Sequence, residues 1–255
     1  MNNKFKDLGI LIILTFFATI LSLALKVNFL VSALLFFALP SIYISFKQKN
    51  QIMRLSKFSA LMGIPFIIIF DYIMASTNGW IVPKTIFSFR ILEVVTIEMI
   101  IAMFFGVYFV LQFYTYFLDH HIEKHPKTRL FGVLIGSVFV IFILLYLIWP
   151  KLLHIPYAYI ILGIIFLALP TILLLITHKT LIKKFGFLGL FFMFNSSLYE
   201  YVGLTLGLWE FPGSQYVGTV TINNATLPFE EIIFYIILIA IWVATFYEIF
   251  DDDMK

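Results

Sequence analysis

Long apolar runs, separated by short polar or basic segments, dominate the pattern of this chain. Each run is about 20 residues long, which is the length that an α-helix needs to cross the hydrocarbon core of a bilayer. Only Lys26–Asn28 separates the first two runs, so a hairpin or a re-entrant segment, with seven spans in total, is an alternative. The pattern predicts an all-α, polytopic transmembrane helical bundle. The eight predicted spans, numbered in chain order, are 8–26, 28–46, 58–77, 92–117, 130–149, 156–177, 185–207 and 229–249.

Composition supports a membrane location and limits the chemistry. Of the 255 residues, 62% are hydrophobic and 12% are charged, and the mean hydropathy is +1.03. A water-soluble domain needs a polar surface that this composition does not supply. The chain has no cysteine, which excludes disulfides, thiolate catalysis and Cys-ligated metal sites. We expect an integral membrane protein with no cofactor and no metal, which has the lipid bilayer and no nucleic acid as a partner.

The distribution of Lys and Arg predicts the orientation in the membrane. If the N-terminus is cytoplasmic, thirteen of the 17 Lys and Arg residues fall in cytoplasmic segments and four in outer ones. Positive charge accumulates on the cytoplasmic side of membrane proteins. The basic segment 1–7 precedes the first run without a small-residue cleavage site, so we expect this span to be retained. We therefore expect a protein of the cell (inner) membrane with both termini in the cytoplasm.

Three short blocks recur in the same order in the two halves of the chain. They predict two repeats, 1–125 and 126–255, of four spans each. Because four is an even number, the repeats share one orientation and would pack about an axis along the membrane normal. Pro40 and Pro170, one in each half, would kink their helices. The matched blocks are 37–42 with 167–172, Asp71 and Trp80 with Glu200 and Trp209, and 96–98 with 228–230.

Acidic side chains gather toward one side of the predicted bilayer. Charged groups inside a membrane are costly and usually functional. Glu230 and Phe234 are four residues apart, so we expect them to share one face of span 8. A carboxylic acid beside aromatic rings suits carbocation chemistry, in which the acid donates a proton and the ring faces stabilise the cation. The acids on the predicted outer side are Asp71, Glu93, Glu98, Glu200, Glu230 and Glu231.

Two opposing effects act on the pKa of the carboxyl groups at the start of span 8. Pro228 fits the first helical position, which would put Glu230 and Glu231 in the first turn, where the helix dipole favours a charged carboxylate. An acid catalyst must hold its proton instead. Burial and a neighbouring like charge both raise the pKa of a carboxyl group. The proposed chemistry therefore requires these acids to meet in a water-poor chamber, with Glu98 approaching them across the repeat interface.

The residues of the second half resemble a known family. Pro228-Phe229-Glu230-Glu231 followed by Phe234, with Glu200 and Gly207-x-Trp209 before it, is similar to the signature of the integral-membrane lycopene cyclases. These occur as two small subunits in some bacteria and as fused proteins in archaea and fungi. The resemblance implies a flavin-independent isomerase that protonates the end of lycopene, closes a six-membered ring and loses a proton to give a β-ring carotenoid.

The resemblance also assigns residues. It implies that Glu230 and Glu231 are the leading catalytic acids, with Glu98 as the first-half counterpart. The first copy departs from the pattern, since Thr96-Ile97-Glu98-Met99 lacks the Pro and the second Glu. This departure leaves another polyene or isoprenoid open as the substrate. The full candidate set is Glu230, Glu231, Glu98, Asp71 and Glu200 for catalysis, and Trp80, Trp209, Phe234 and Asn195 for binding a hydrophobic polyene.

Other interpretations remain open at this point. A hydratase or another isoprenoid-modifying enzyme would use the same acids, whereas a transporter or a lipid-binding membrane protein would place charges near the bilayer centre. The two Trp residues also suit interfacial anchors, and Asn195 also suits a bridge between helices. We interpret His120, His121, Glu123 and His125 as a solvated loop, and Asp251–Asp253 as a solvated tail, rather than as metal sites.

Overall fold

Eight helices form the molecule in the computed structural model, which describes residues 2–119, 127–222, 225–252 and 254. Within these residues, each of the eight is long and apolar enough to cross a membrane, which confirms the predicted all-α bundle. They are α1 (Asn3–Leu25), α2 (Phe29–Lys47), α3 (Lys49–Ser76), α4 (Ile97–Leu118), α5 (Thr128–Ile148), α6 (Ala158–Thr177), α7 (Leu181–Leu206) and α8 (Glu231–Phe250).

Two separate helices meet at the junction between α1 and α2, and each is long and apolar enough to cross a membrane. Lys26 adopts a left-handed conformation with φ of 48°, and the Asn28 side chain caps the next helix by accepting a hydrogen bond from Val31 N at 3.0 Å. Such a cap satisfies a backbone donor that the helix itself leaves free. Both runs are therefore separate, full-length helices.

Two short β-hairpins, which the apolar pattern does not reveal, precede α4 and α8. The first pairs β1 (Arg90–Ile91) with β2 (Val95–Thr96), and the second pairs β3 (Thr219–Ile222) with β4 (Ala225–Pro228). An antiparallel bridge between Ile81 and Glu210 joins the connecting loops. We call this end of the bundle the hairpin end.

The hairpins correct two boundaries that the sequence suggested. Pro228 is the last residue of β4, opposite Thr219, and not the first residue of the helix. The fourth helix begins at Ile97 and not at residue 92, because residues 90–96 form the first hairpin. Pro lacks a backbone N–H and so suits the end of a strand as well as the start of a helix.

The predicted kinks at Pro40 and Pro170 take the form of wide helical turns. A π-helical turn, Leu34–Ala38 or Gly163–Ala168, ends two residues before each proline. A proline leaves one helical hydrogen bond unmade, and a widened turn is one way in which a helix accommodates this.

Helices α4 and α8 lie at the centre of the bundle, and the other helices surround them. Helix α3 packs closely on α4 at Gly63, where a Cβ atom would lie 3.3 Å from Val107 Cγ2. Helix α1 packs on α7, where Thr15 Oγ1 donates to Asn195 Oδ1 at 3.1 Å. Helix α5 lies outside, with only 11% of its most apolar segment buried. Residues of α2, α3, α6 and α7 also line the space between α4 and α8.

Candidate active site

A cavity of about 150 Å³ lies between α4 and α8, toward the hairpin end. Aromatic and aliphatic side chains form most of its wall. Three of the four predicted substrate-binding residues, Trp80, Trp209 and Phe234, line it. Two carboxyl groups also reach it, those of Glu200 on α7 and Glu231 on α8. Both side chains are almost completely buried, with exposed fractions of 2% and 5%.

Each of the two cavity acids has an aromatic hydrogen-bond donor. Trp209 Nε1 donates to Glu200 Oε1 at 2.8 Å, and the Tyr159 hydroxyl donates to Glu231 Oε2. Tyr159 comes from α6 and is itself buried. These bonds fix the direction in which each carboxyl group points.

The two carboxyl groups also approach each other. The side chains of Glu200 and Glu231 line the same cavity and are near enough to influence each other electrostatically. Glu200 Oε2 is buried and has no hydrogen-bond partner in the described part of the chain. A hydrogen bond between two carboxyl groups requires one proton to lie between them. A proton shared with Glu231 would give Glu200 Oε2 the partner that it lacks.

Glu230, a leading candidate from the sequence, lies outside the cavity lining. Its Oε1 accepts a hydrogen bond from Val217 N at 2.6 Å, in the loop that leads into the second hairpin. Phe234 lines the cavity together with Glu231, whereas Glu230 is not among the lining residues.

Glu98 holds a loop in the same manner. Its Oε1 accepts from Ile86 N at 2.6 Å and from Phe87 N at 3.0 Å. Glu98 is not among the lining residues of the cavity, so it does not share that space with Glu200 and Glu231. The amides of Ile86 and Phe87 have no strand partner, so they donate to this carboxylate instead.

Asp71 lies at a second and more polar pocket, of about 190 Å³, with Arg90 and Glu93 among its lining residues. The carboxylate of Asp71 accepts a hydrogen bond from Trp80 Nε1. The Trp80 ring lines both this pocket and the main cavity. Asp71 is therefore separated from the two cavity acids by an indole ring.

Asn195, the fourth predicted binding residue, faces α1 and bonds to Thr15 as described above. The neighbouring residue Ser196 lines the cavity in its place. The bridging role that the sequence left open is the one that Asn195 takes.

The sequence did not predict three tyrosines that line the cavity. Tyr199 and Tyr235 lie directly beside Glu200 and Phe234 in the sequence, so adjacency to a candidate residue was a usable signal. Tyr159 carries no such signal, because it is one aromatic residue in a wholly apolar span. Only the fold brings its hydroxyl to Glu231.

The end of the bundle opposite to the hairpins carries a different acidic cluster. Asp119, Glu248 and Asp252 offer oxygen atoms within 4.8 Å of one another, but Lys184 Nζ pairs with Asp119 at 2.5 Å and the Tyr114 hydroxyl donates to Glu248. The expected solvated tail is wrong for the two described aspartates, since Asp251 and Asp252 are buried.

The burial of this tail has a local cause. Arg54 Nε pairs with Asp251 Oδ2 at 2.6 Å, and the Thr128 hydroxyl donates to Oδ1 of the same carboxylate. Asp253 and the histidine loop 120–125 lie outside the described residues.

The fold and the cavity together define a polytopic helical protein of the membrane-spanning type, with a buried pair of acids in an aromatic chamber. Comparisons with protein-family models, with curated proteins and with solved structures found no match to this chain.

Proposed function

We propose that this protein is a membrane enzyme that cyclises the end group of a linear isoprenoid polyene, with conversion of lycopene to a β-ring carotenoid as the specific reaction. The observation that carries the proposal is that two buried acids, Glu200 and Glu231, line the same aromatic-walled cavity. An acid in such surroundings is suited to donate a proton to a carbon–carbon double bond.

The reaction needs nothing beyond one proton that is given and then recovered. The carboxylic acid O–H bond breaks, and a C–H bond forms at the terminal double bond of the polyene. The neighbouring double bond attacks the resulting cation and closes the six-membered ring. A ring carbon then loses a proton to the carboxylate. The product is an isomer of the substrate, so neither an oxidant nor a reductant is consumed.

The proton is held by the acid pair. Two carboxyl groups in contact keep one proton between them, because two negative charges that close together repel strongly in a low-dielectric cavity. Tyr159 and Trp209 donate to the oxygen atoms that the shared proton does not occupy. We assign Glu231 as the proton donor and Glu200 as its partner, since Glu231 lies on the same helical segment as the ring face of Phe234.

The wall of the cavity suits the cation that forms. The Trp80 and Tyr159 rings are 5.5 Å apart between centroids, and Phe70 lies 5.3 Å from Trp80. Ring faces attract a cation and lack a lone pair that would trap it as strongly as water does. The cavity volume of about 150 Å³ is similar to that of a cavity that accommodates a benzene-sized ring. The cavity therefore has room for the end group that cyclises.

The proposal includes the membrane and the orientation. We place the protein in the cell membrane with both termini in the cytoplasm, so that the hairpin end faces outward. The Lys and Arg distribution supports this orientation. A reporter enzyme active only in the cytoplasm, fused after residue 255, is expected to be active, and an inactive but intact fusion would reverse the orientation.

A transporter is the alternative from another class, and the distribution of polar groups favours the enzyme. In the described residues, the carboxyl groups of the main cavity both lie near the hairpin end, where α7 ends and α8 begins. Alternating access generally uses a site near the middle of the bilayer. A hydratase would share the protonation step and differ only in a hydroxylated product.

The test is expression of the full chain in cells that accumulate lycopene. We expect the pigment to shift from red toward yellow-orange, with a β-ring product identified by chromatography and mass. A product heavier by one water would indicate a hydratase. An unchanged pigment profile, with the protein present in the membrane fraction, would contradict lycopene as the substrate.

A further inference from the structure

The cavity continues from the acid pair along one face of α4. The lining residues of this helix follow helical spacing, at Met99, Ala102, Met103, Gly106, Val107 and Val110. The first and the last are eleven residues apart, which corresponds to about 16 Å at 1.5 Å per residue. On the facing helix α8, the lining extends over a similar length, from Glu231 to Val243. The empty space is therefore long and narrow rather than round.

The two ends of this space differ in polarity. The end next to the hairpins holds both carboxyl groups and the indole of Trp209. Among the described lining residues, those at the far end are apolar, with Val110 on α4, Phe192 on α7 and Val243 on α8. The space therefore has one polar end, next to the hairpins, and one apolar end.

Gly106 stands between these ends. It lines the cavity, and a Cβ atom built there would have no atom within 4 Å. The missing side chain is therefore not required by close helix packing, as it is at Gly63, where the same construction meets Val107. Gly106 leaves open space at the middle of the tube.

We propose that the cavity binds a linear unsaturated hydrocarbon chain lengthwise, with its end at Glu200 and Glu231 and the rest lying along α4 past Gly106, and that Gly106 sets the width of this tube. The identity of the reacting end rests on the proposed function. The lengthwise binding of a chain does not, because it follows from the shape and polarity of the space.

The test measures binding, independently of any reaction. The full protein, in detergent micelles, is titrated with the methyl ester of a long-chain fatty acid that carries a conjugated tetraene. Trp80, Trp209 and Trp242 lie at or beside the cavity and would transfer excitation energy to the bound tetraene. We expect saturable transfer in the unmodified protein, at least about tenfold weaker affinity in Gly106→Leu, and a smaller loss in Gly106→Ala.

The matched control is Gly136→Leu. Gly136 also has no atom within 4 Å of a built Cβ, but it lies on α5, at the surface of the bundle. We expect this variant to bind the tetraene with unchanged affinity. A short ring compound, β-ionone, fills only the acid end, so it should displace the tetraene from the unmodified protein and quench tryptophan fluorescence equally in Gly106→Leu.

Three results would overturn the inference: no saturable transfer in the unmodified protein, equal affinity in Gly106→Leu, or loss of β-ionone binding in that variant, which would indicate distortion rather than a narrowed tube. Tetraene binding that depends on Gly106, together with unchanged pigment in lycopene-accumulating cells, would reject the proposed reaction and leave the tube in place. Pigment conversion that does not depend on Gly106 would support the proposed reaction and reject the tube past Gly106.

Discussion

The two halves of the molecule share a hydrogen-bonded frame but differ in the chemistry that they bring to the cavity. In the first half Trp80 Nε1 donates to Asp71, and in the second half Trp209 Nε1 donates to Glu200. In each case the acid and the indole are nine residues apart. The same hydrogen bond from an indole, which we call the indole clamp, therefore holds an acid near the end of α3 and near the end of α7.

A second correspondence concerns the loops at the hairpin end. Glu98 accepts from the amide of Ile86, and Glu230 accepts from the amide of Val217, both at 2.6 Å. The halves then diverge at the next residue, which is Met99 in the first half and Glu231 in the second. Both of these side chains line the cavity. An acid at this position can therefore hold a loop, while its neighbour in the sequence faces the cavity.

The wall of the cavity divides in the same way. The first half contributes apolar side chains, with the indole of Trp80 as the polar exception in the described lining. All hydroxyl and carboxyl groups of that lining come from the second half: Tyr159, Ser196, Tyr199, Glu200, Glu231 and Tyr235. The described lining therefore has one side that carries the hydroxyl and carboxyl groups and one side that is mostly apolar.

The largest expected effect is at the residue where the halves diverge. We expect Glu231→Gln to lower conversion of lycopene at least about a hundredfold, since general acid catalysis contributes about that much or more. Conversion is measured as the ratio of β-ring product to lycopene per amount of protein in the membrane fraction. Met99→Leu, the matched change in the first half, should remain close to full activity. Full activity in Glu231→Gln would remove this acid from the mechanism.

A smaller loss is expected when the donor to Glu231 is removed. Tyr159→Phe deletes the hydroxyl that donates to this carboxyl group, and hydrogen bonds to charged groups contribute about 1.5–3 kcal/mol. We expect conversion to fall about tenfold or more, with the amount of folded protein unchanged. Tyr199→Phe is the control, because the Tyr199 ring lies in the same cavity and packs on Trp209 at 4.9 Å. Equal losses in both variants would show that the Glu231 contact has no special role.

Glu230 should behave as a residue of the frame. Glu230→Ala removes the hydrogen bond between Val217 N and the buried Glu230 carboxylate, which should lower the free energy of unfolding by about 1–3 kcal/mol. Glu230→Gln retains an acceptor oxygen and should convert lycopene within a few-fold of the unmodified protein. Thermal unfolding in detergent and pigment analysis measure the two effects. Abolished conversion in a stable Glu230→Gln protein would restore the catalytic role that the sequence suggested.

The sequence predicts the spans well because hydropathy over about 20 residues reports directly on membrane-crossing helices. It also predicts that the acids lie at one end, since alternating helix directions bring the end of α3 and the start of α4 together. It does not predict which of Glu230 and Glu231 faces the cavity. That choice depends on where α8 begins after β4, and no hydrophobic period marks this boundary.

The smallest expected effect is at Asp71, and it distinguishes a structural role of an acid from a role in the reaction. Asp71 and Glu200 each accept a hydrogen bond from an indole. Of these two acids, only Glu200 lines the main cavity. Asp71→Asn keeps an acceptor oxygen for Trp80 and should change conversion less than about threefold. Glu200→Gln keeps an acceptor for Trp209 equally well, yet it removes the partner of Glu231, so conversion should fall at least about tenfold. Equal effects of the two substitutions would mean that the indole clamp, and not contact between the carboxyl groups, is what these acids provide.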